Sequence, residues 1–277
     1  MFSLLALASS LVWGVSDFIA GVKAKDRPAA AVVGWSQAVA LLVMSVVIAI
    51  RSPHFAPGDW PGWALLAGIC GSGALVCFYA ALSTGTMGVV APIASLGVLV
   101  PVILGVREGE SPAPVTWVGI VIAVIGVLLA SGPELNGAVS RRPVLLACIA
   151  GAGFGVTLYA IDRGSAYSVA NTMWGMRLTS VALFGAAAIA LRRAGGMRPA
   201  DAPVLIVIGV ADLTANLLFG IASSQGLVSV ASVLGSLYPV VTAALAYAVL
   251  HERLRPIQIV GAAATVLGVV LIAGGSG

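Results

Sequence analysis

The chain has 277 residues, 60% of them hydrophobic and only 9% charged, with a net charge of +4 and a mean hydropathy of +1.09. A soluble domain carries about 25% charged residues, so an ordinary soluble globule is excluded and an integral membrane protein with little mass outside the bilayer is expected. The cations are few and spread over short connectors with no basic patch, which excludes nucleic acid as a partner. A spanning helix needs ~20 apolar residues. On that basis the sequence predicts ten, in chain order at 3–22, 29–50, 61–82, 86–106, 114–132, 143–162, 168–191, 203–224, 228–250 and 256–274. The first begins "MFSLLALASS", without a basic leader or a cleavage signature, and is read as a retained helix. Pro28, Pro61, Pro114, Pro143, Pro203 and Pro256 stand near predicted helix starts, where proline is tolerated. No alternation of period two reaches spanning length, so a barrel is excluded. Cys70, Cys77 and Cys148 fall inside apolar segments and read as packing residues, not as a disulfide framework or a zinc site.

The chain repeats itself. A shift of 141 residues places Gly14-Val15 on Gly155-Val156, Gly34 on Gly175, Gly68 on Gly209, Ala74 on Ala215, Phe78 on Phe219, Ser83 on Ser224 and Ser95-Leu96 on Ser236-Leu237. A shift of 142 places Glu110 on Glu252, Pro114 on Pro256, Gly119 on Gly261 and Gly126 on Gly268. Each half then holds five helices, an odd number, so the second half enters the bilayer from the opposite side. The expected fold is all-α and polytopic, built from two inverted five-helix repeats at 1–135 and 140–277. Inverted repeats of this kind mark many secondary transporters, with a site near the midplane between the halves. The connectors after helices 1, 3, 5, 7 and 9 carry ten of the fourteen Lys and Arg, those after the even helices three, and Arg177 lies inside helix 7. The positive-inside rule puts the ten in the cytoplasm and both termini outside.

Two segments carry a family pattern: "FYAALSTGTMGVVAPIASLGVLVPVILGVREGESPAPVTWVGIVIAVIGVLLA" and "ASSQGLVSVASVLGSLYPVVTAALAYAVLHERLRPIQIVGAAATVLGVVLIA". They resemble the two copies of the EamA domain, in the ten-helix branch of the drug/metabolite transporter superfamily. "SLYPV", "HERL" and the Trp13-Gly14 pair in "LVWGVSDF" carry the likeness best. The resemblance implies a secondary carrier of small metabolites, often an exporter of amino acids or drugs. It also implies a central cavity lined by helices 1–4 and 6–9, with helices 5 and 10 peripheral. Two features depart from the family pattern. "REGES" lacks a clean Gly-Glu-Arg-Leu run, leaving Glu108 and Glu110 as alternative equivalents of Glu252. Many members also keep both termini inside, against the charge bias here.

A charge inside the membrane is costly and marks function by default. Three such residues stand out. Asp212 is the tenth residue of its 22-residue segment, about 15 Å from either end at 1.5 Å per residue. With Gly209, Asn216, Gly220 and Ser223 it makes one small and polar stripe, which faces a wet cavity or other helices. Its repeat equivalents, Gly71 and Leu75, carry no such groups, so the fold itself does not demand them. A carboxylate there suits a proton carrier or a cation site, or a structural ion pair. Asp17 follows Trp13 by one turn, and an indole beside a carboxylate suits an ammonium group; Lys23 and Lys25 offer the interface as an alternative. Arg177, flanked by Trp174 and Ser180, matches an Arg-Leu pair of the family and is placed to pair with Asp212 or Asp17, or to bind a substrate carboxylate through its fork. Gln37 and Tyr238 are further cavity candidates, with Tyr79 and Tyr159 behind them. Pro92, Pro101 and Pro239 interrupt helices 4 and 9, as hinges or fixed kinks. Glu252 reads as a helix cap and a loop ion pair.

The expected function is alternating-access transport of a small amino acid, amine or drug across the cell membrane, as an exporter, coupled to protons through Asp212. An uncoupled facilitator or a lipid carrier of the same fold is the alternative. No cofactor or metal motif occurs. Ser72 in "CGSGA" is set like an intramembrane serine nucleophile, but His54 and His251 sit in connectors, so no base is near it and an enzyme is not expected. The expected partners are the substrate, the lipid bilayer and protons; the chain acts as a monomer or a homodimer, with Gly119, Gly126, Gly261 and Gly268 packing helices within or between protomers.

Overall fold

The structure is a computed structural model; it describes residues 2–51, 55–100, 103–104, 113–135, 141–192, 195–225, 234–252 and 255–274. The described residues are helical, with no strand among them. In chain order they form α1 (Phe2–Asp26), α2 (Ala29–Arg51), α3 (Trp60–Thr84), α4 (Met87–Ser95) tightening into a 3-10 turn at Leu96–Val98, and α5 (Pro114–Leu135). The run Arg142–Leu191 follows, then a 3-10 turn at Pro199–Asp201, α8 (Ala202–Gln225), α9 (Tyr238–Leu250) and α10 (Pro256–Gly274). The run Arg142–Leu191 has 50 residues, about 75 Å at 1.5 Å per residue, far longer than the ~30 Å of a bilayer core. It is two helices, α6 (142–167) and α7 (169–191), meeting at Ser168, whose backbone is extended (φ −167°, ψ 115°).

That junction differs from the connector expected at 163–167, between the predicted helices 143–162 and 168–191. Residues 163–167 stay helical, because one residue suffices to restart the chain. Ser168 Oγ accepts the Asn171 N–H at 3.3 Å, the side-chain cap that frees a helix start from its orphan donors. Helices 4 and 9, where Pro92 and Pro239 stand, are interrupted. The first tightens at Leu96–Val98, and α9 starts only at Tyr238, after a turn at Ser236-Leu237. The two breaks are equivalent under the 141-residue shift. The expected start of helix 9 at 228, together with His54, Pro101, Glu108, Glu110 and Arg253, lies outside the described residues.

Close helix contacts exchange between the two halves. A Cβ added to Gly14 in α1 would meet Tyr238 O of α9 at 2.8 Å, while one added to the equivalent Gly155 in α6 would collide with Gly97 O, the equivalent of Tyr238 O, just past α4. Gly68 of α3 lies against Met176 O of α7, and its counterpart Gly209 of α8 against Ser36 O of α2. The same swap joins α5 to α10: a Cβ on Gly126 would meet Gly261 O at 2.7 Å, and one on Gly268 would meet Gly119 O at 2.6 Å. These four glycines therefore pack helices within the chain. Helices α5 and α10 pair with one another and otherwise touch α4 and its 3-10 turn, the peripheral place the resemblance implies. Small residues are what let helix backbones approach where lipid gives no hydrophobic drive.

Such contacts predict a sharp position dependence. Gly155→Ala will lower stability by about 1–3 kcal/mol, because the new methyl meets backbone that cannot yield. At Gly185 an added Cβ meets nothing within 4 Å, and Gly185→Ala will be neutral or gain up to about 1 kcal/mol from helix propensity. Thermal unfolding in detergent compares them; equal melting of both variants would contradict the packing described.

Connectors after odd-numbered helices meet at one end. Asp201 pairs with Lys23 at 2.5 Å and Arg27 at 3.0 Å. Glu252 Oε2 accepts the Met87 N–H at 3.0 Å, capping α4 from the other half, and Gly85 lies on Pro143. Gly21, which touches Leu82 and Met87, joins the two groups. The outer surface is apolar: Leu42 and Val46 of α2, Trp117, Val121 and Leu128 of α5, and Val260 and Leu267 of α10 are exposed. Apolar patches this continuous belong against lipid, not water. Five stretches among the described residues, Leu4–Asp26, Ala29–Ile50, Trp60–Thr84, Arg142–Leu191 and Pro199–Gln225, are long and apolar enough to cross a membrane.

Candidate functional site

Interior polar groups converge from α2, α7 and α8. Arg177 on α7 is wholly buried. Its Nη1 donates to Gln37 Oε1 of α2 at 2.5 Å and lies 2.9 Å from Asp212 Oδ2 of α8. Gln37 Nε2 donates to the same Asp212 oxygen at 3.1 Å, and Asn216 Nδ2 donates to Asp212 Oδ1 at 3.0 Å and to its carbonyl at 2.7 Å. Asp212 thus has one countercharge and two amide donors, and the ion pair is closed on three sides. A buried charge is tolerable only when paired and hydrogen-bonded in this way. The polar stripe Gly209, Asp212, Asn216, Gly220 and Ser223 is buried along its length, as its spacing predicts. Of the two partners open to Arg177 on sequence grounds, the structure gives it Asp212.

Asp17 on α1 has a different environment. It is 6% exposed, and its hydrogen-bond donor among the described residues is Tyr79 Oη on α3, at 3.5 Å, the outer limit for such a bond. Lys23, one of the two lysines that offered the interface alternative for Asp17, is engaged with Asp201 further along the helix.

Asp17, Arg177 and Asp212 line one cavity of about 720 Å³, its open mouth included. Its walls hold seven pairs of residues related by the 141-residue shift: Trp13 and Phe154, Asp17 and Leu158, Gly71 and Asp212, Leu75 and Asn216, Ala94 and Gly235, Ser95 and Ser236, Gly97 and Tyr238. The cavity therefore sits where equivalent positions of the two halves face each other, between the two helix breaks. The scaffold is repeated and the chemistry is not. The acid at 17 faces a leucine equivalent, and the acid at 212 a glycine. Trp13 lies in the wall with its ring 5.8 Å from Phe219. Tyr238 is there too, its buried Oη without a partner among the described residues.

Two expected site residues sit elsewhere. Trp174 is not in the cavity wall: one turn from Arg177, it donates from Nε1 to Ser45 Oγ at 3.0 Å and packs its ring 5.1 Å from Phe55. A helical turn carries a side chain along the axis as well as around it, and here it leads out of the cavity. Gln37 acts from behind the wall, reaching the site only through Arg177 and Asp212. Phe154, Thr157, Leu158, Met176 and Phe219 line the cavity without having been singled out. The repeat itself points to the first and third, as equivalents of Trp13 and Asp17. Ser72, the candidate nucleophile, has a buried hydroxyl with no partner among the described residues.

A family model described as the EamA-like transporter family matches the chain twice, over residues 1–132 and 141–274. No curated protein matches it. Among solved structures 26 chains match. One, reported simply as the crystal structure of a protein, is 17% identical with a TM-score of 0.71, and the match covers 98% of this chain and 95% of that one. At that identity the fold is what the two share. With two matched copies over nearly its whole length and an apolar helical exterior, the chain belongs to the EamA-like transporter family and is a polytopic membrane protein.

Proposed function

We propose that this protein is a secondary carrier of a small metabolite such as an amino acid, amine or drug, working by alternating access in the cell membrane, with export as its direction. The observation that carries the reading is the cavity lined by paired positions of two matched halves and bearing charge of both signs. In this reading the chain crosses the bilayer ten times as two inverted halves, 1–135 and 140–277. They rock about the cavity, with the end where Lys23, Arg27 and Asp201 meet on the cytoplasmic side. The coupling group is Asp17 and not Asp212. Asp212 already has its countercharge and its donors, whereas Asp17 faces the cavity with one long hydrogen bond. An uncompensated carboxylate in a low-dielectric wall favours taking up a cation, whether a proton or a substrate ammonium. One group that holds either but not both links the two fluxes.

Protein reconstituted in liposomes tests this with radiolabelled amino acids and amines. A saturable flux is expected for at least one compound, faster under a pH gradient of one polarity. A facilitator of the same architecture gives saturable flux indifferent to the gradient, and flux no greater than in protein-free liposomes for every compound ends the carrier reading.

A further inference from the structure

Arg177 has one side in use and one side free. Its Nη1 serves both Gln37 and Asp212, whereas Nε and Nη2 are buried and have no acceptor among the described residues. Those two nitrogens form one edge of the planar guanidinium. Their N–H bonds run parallel, the fork that matches the two oxygens of a carboxylate. Arg177 is one of the residues of the cavity wall. A fully buried, always-charged group with two donors unmet is costly; an acceptor entering the cavity relieves that cost. Tyr238 Oη is a second donor in the same wall without a partner.

Resting on the carrier reading above, we infer that the free Nε–Nη2 edge of Arg177 receives the carboxylate of the transported molecule, and that this molecule is a zwitterion. The unmatched Asp17 charge and the unmet donors of Arg177 together argue for the second part. Asp212 offsets Arg177, which leaves Asp17 as the unmatched charge of the lining. A lone anion would add to that negative charge, and a lone cation would leave the fork empty. A molecule with one carboxylate and one ammonium satisfies both, its ammonium at Asp17 beside the Trp13 ring, where cation–π attraction adds to the ion pair. A doubly charged phosphate exceeds what one half-neutralised guanidinium balances. The rest of the wall, with Leu75, Phe154, Leu158, Met176 and Phe219, is apolar and takes a hydrophobic side chain. Gln37 is the positioning residue: it holds Nη1 and so fixes the plane in which the fork lies.

The test compares matched trios on purified wild-type protein by thermal unfolding. Phenylalanine is set against 2-phenylethylamine, which lacks the carboxylate, and 3-phenylpropionate, which lacks the ammonium. Leucine is set against its corresponding amine and acid, and the other common amino acids complete the panel. The expected result is stabilisation by at least one amino acid and none by its amine or its acid at the same concentration. Arg177→Lys keeps a charge for Asp212 but has no fork, and will weaken that amino acid's binding by roughly ten- to a hundredfold, one to two charge-assisted hydrogen bonds' worth. Should that variant fail to fold, the wild-type trios still decide. An amine that stabilises as well as its amino acid shows the edge to be merely hydrated and overturns the inference, as does stabilisation by no amino acid. The two readings fail separately: an amine bound and carried sinks the fork and keeps the carrier, whereas an amino acid held through the fork but never moved sinks the carrier and keeps the fork.

Discussion

Arg177→Met will destabilise the protein by about 3–5 kcal/mol, and adding Asp212→Asn will restore most of the loss. The single change leaves the Asp212 carboxylate buried beside amide donors with no countercharge, and an orphaned buried charge is what makes broken interior pairs so costly. The double change removes both charges at once. The asparagine introduced by the second change keeps one oxygen for the Asn216 amide at 3.0 Å, and its NH2 can donate to Gln37 Oε1, which the loss of Arg177 frees, once the Gln37 amide turns over. Met is close to Arg in length and fills the space of its stem. Unfolding in detergent, followed by heat or denaturant for wild type, both single variants and the double, gives the coupling. Losses that simply add would mean that Arg177 and Asp212 are not paired in the folded protein.

Asp17→Asn will leave the fold intact and remove the response of flux to a pH gradient. The amide is the same size as the acid and still accepts from Tyr79, and no ion pair among the described residues is broken. What it cannot do is alternate between holding a proton and holding a cation. In liposomes the variant will show no gradient-driven component, while its melting temperature stays near that of wild type. Gradient dependence that survives in Asp17→Asn and vanishes in a folded Asp212→Asn would return the coupling role to Asp212.

Much of this architecture is legible in the sequence. Apolar stretches of spanning length and a repeat offset of 141 locate most of the helices, and the offset also pairs the cavity walls residue by residue. The intramembrane charges at 17, 177 and 212 do meet in one place. What escapes has physical causes. The sequence predicts a connector at 163–167 between helices 6 and 7. The chain instead turns at Ser168 alone, because one hydroxyl can cap a restarting helix. The facing of Trp174 escapes because both the lipid side and the protein side of a membrane helix are apolar, so periodicity says little about which side is which. The partner of Arg177 is open between two acids in the sequence; in the structure it is Asp212, and Gln37, an uncharged residue 140 positions from Arg177, bonds to both.

The exchanged glycine contacts bear on what counts as a folding unit here. Gly14, in the first matched segment, rests on the start of α9 in the second, and Gly155, in the second, rests on the residue just past α4 in the first. Glu252 closes the same circuit by capping α4 across the boundary. Each segment's interrupted helix packs mostly against the other segment. Each is completed by its counterpart, as two clasped hands are, so a lone segment would expose the very backbone that the other covers.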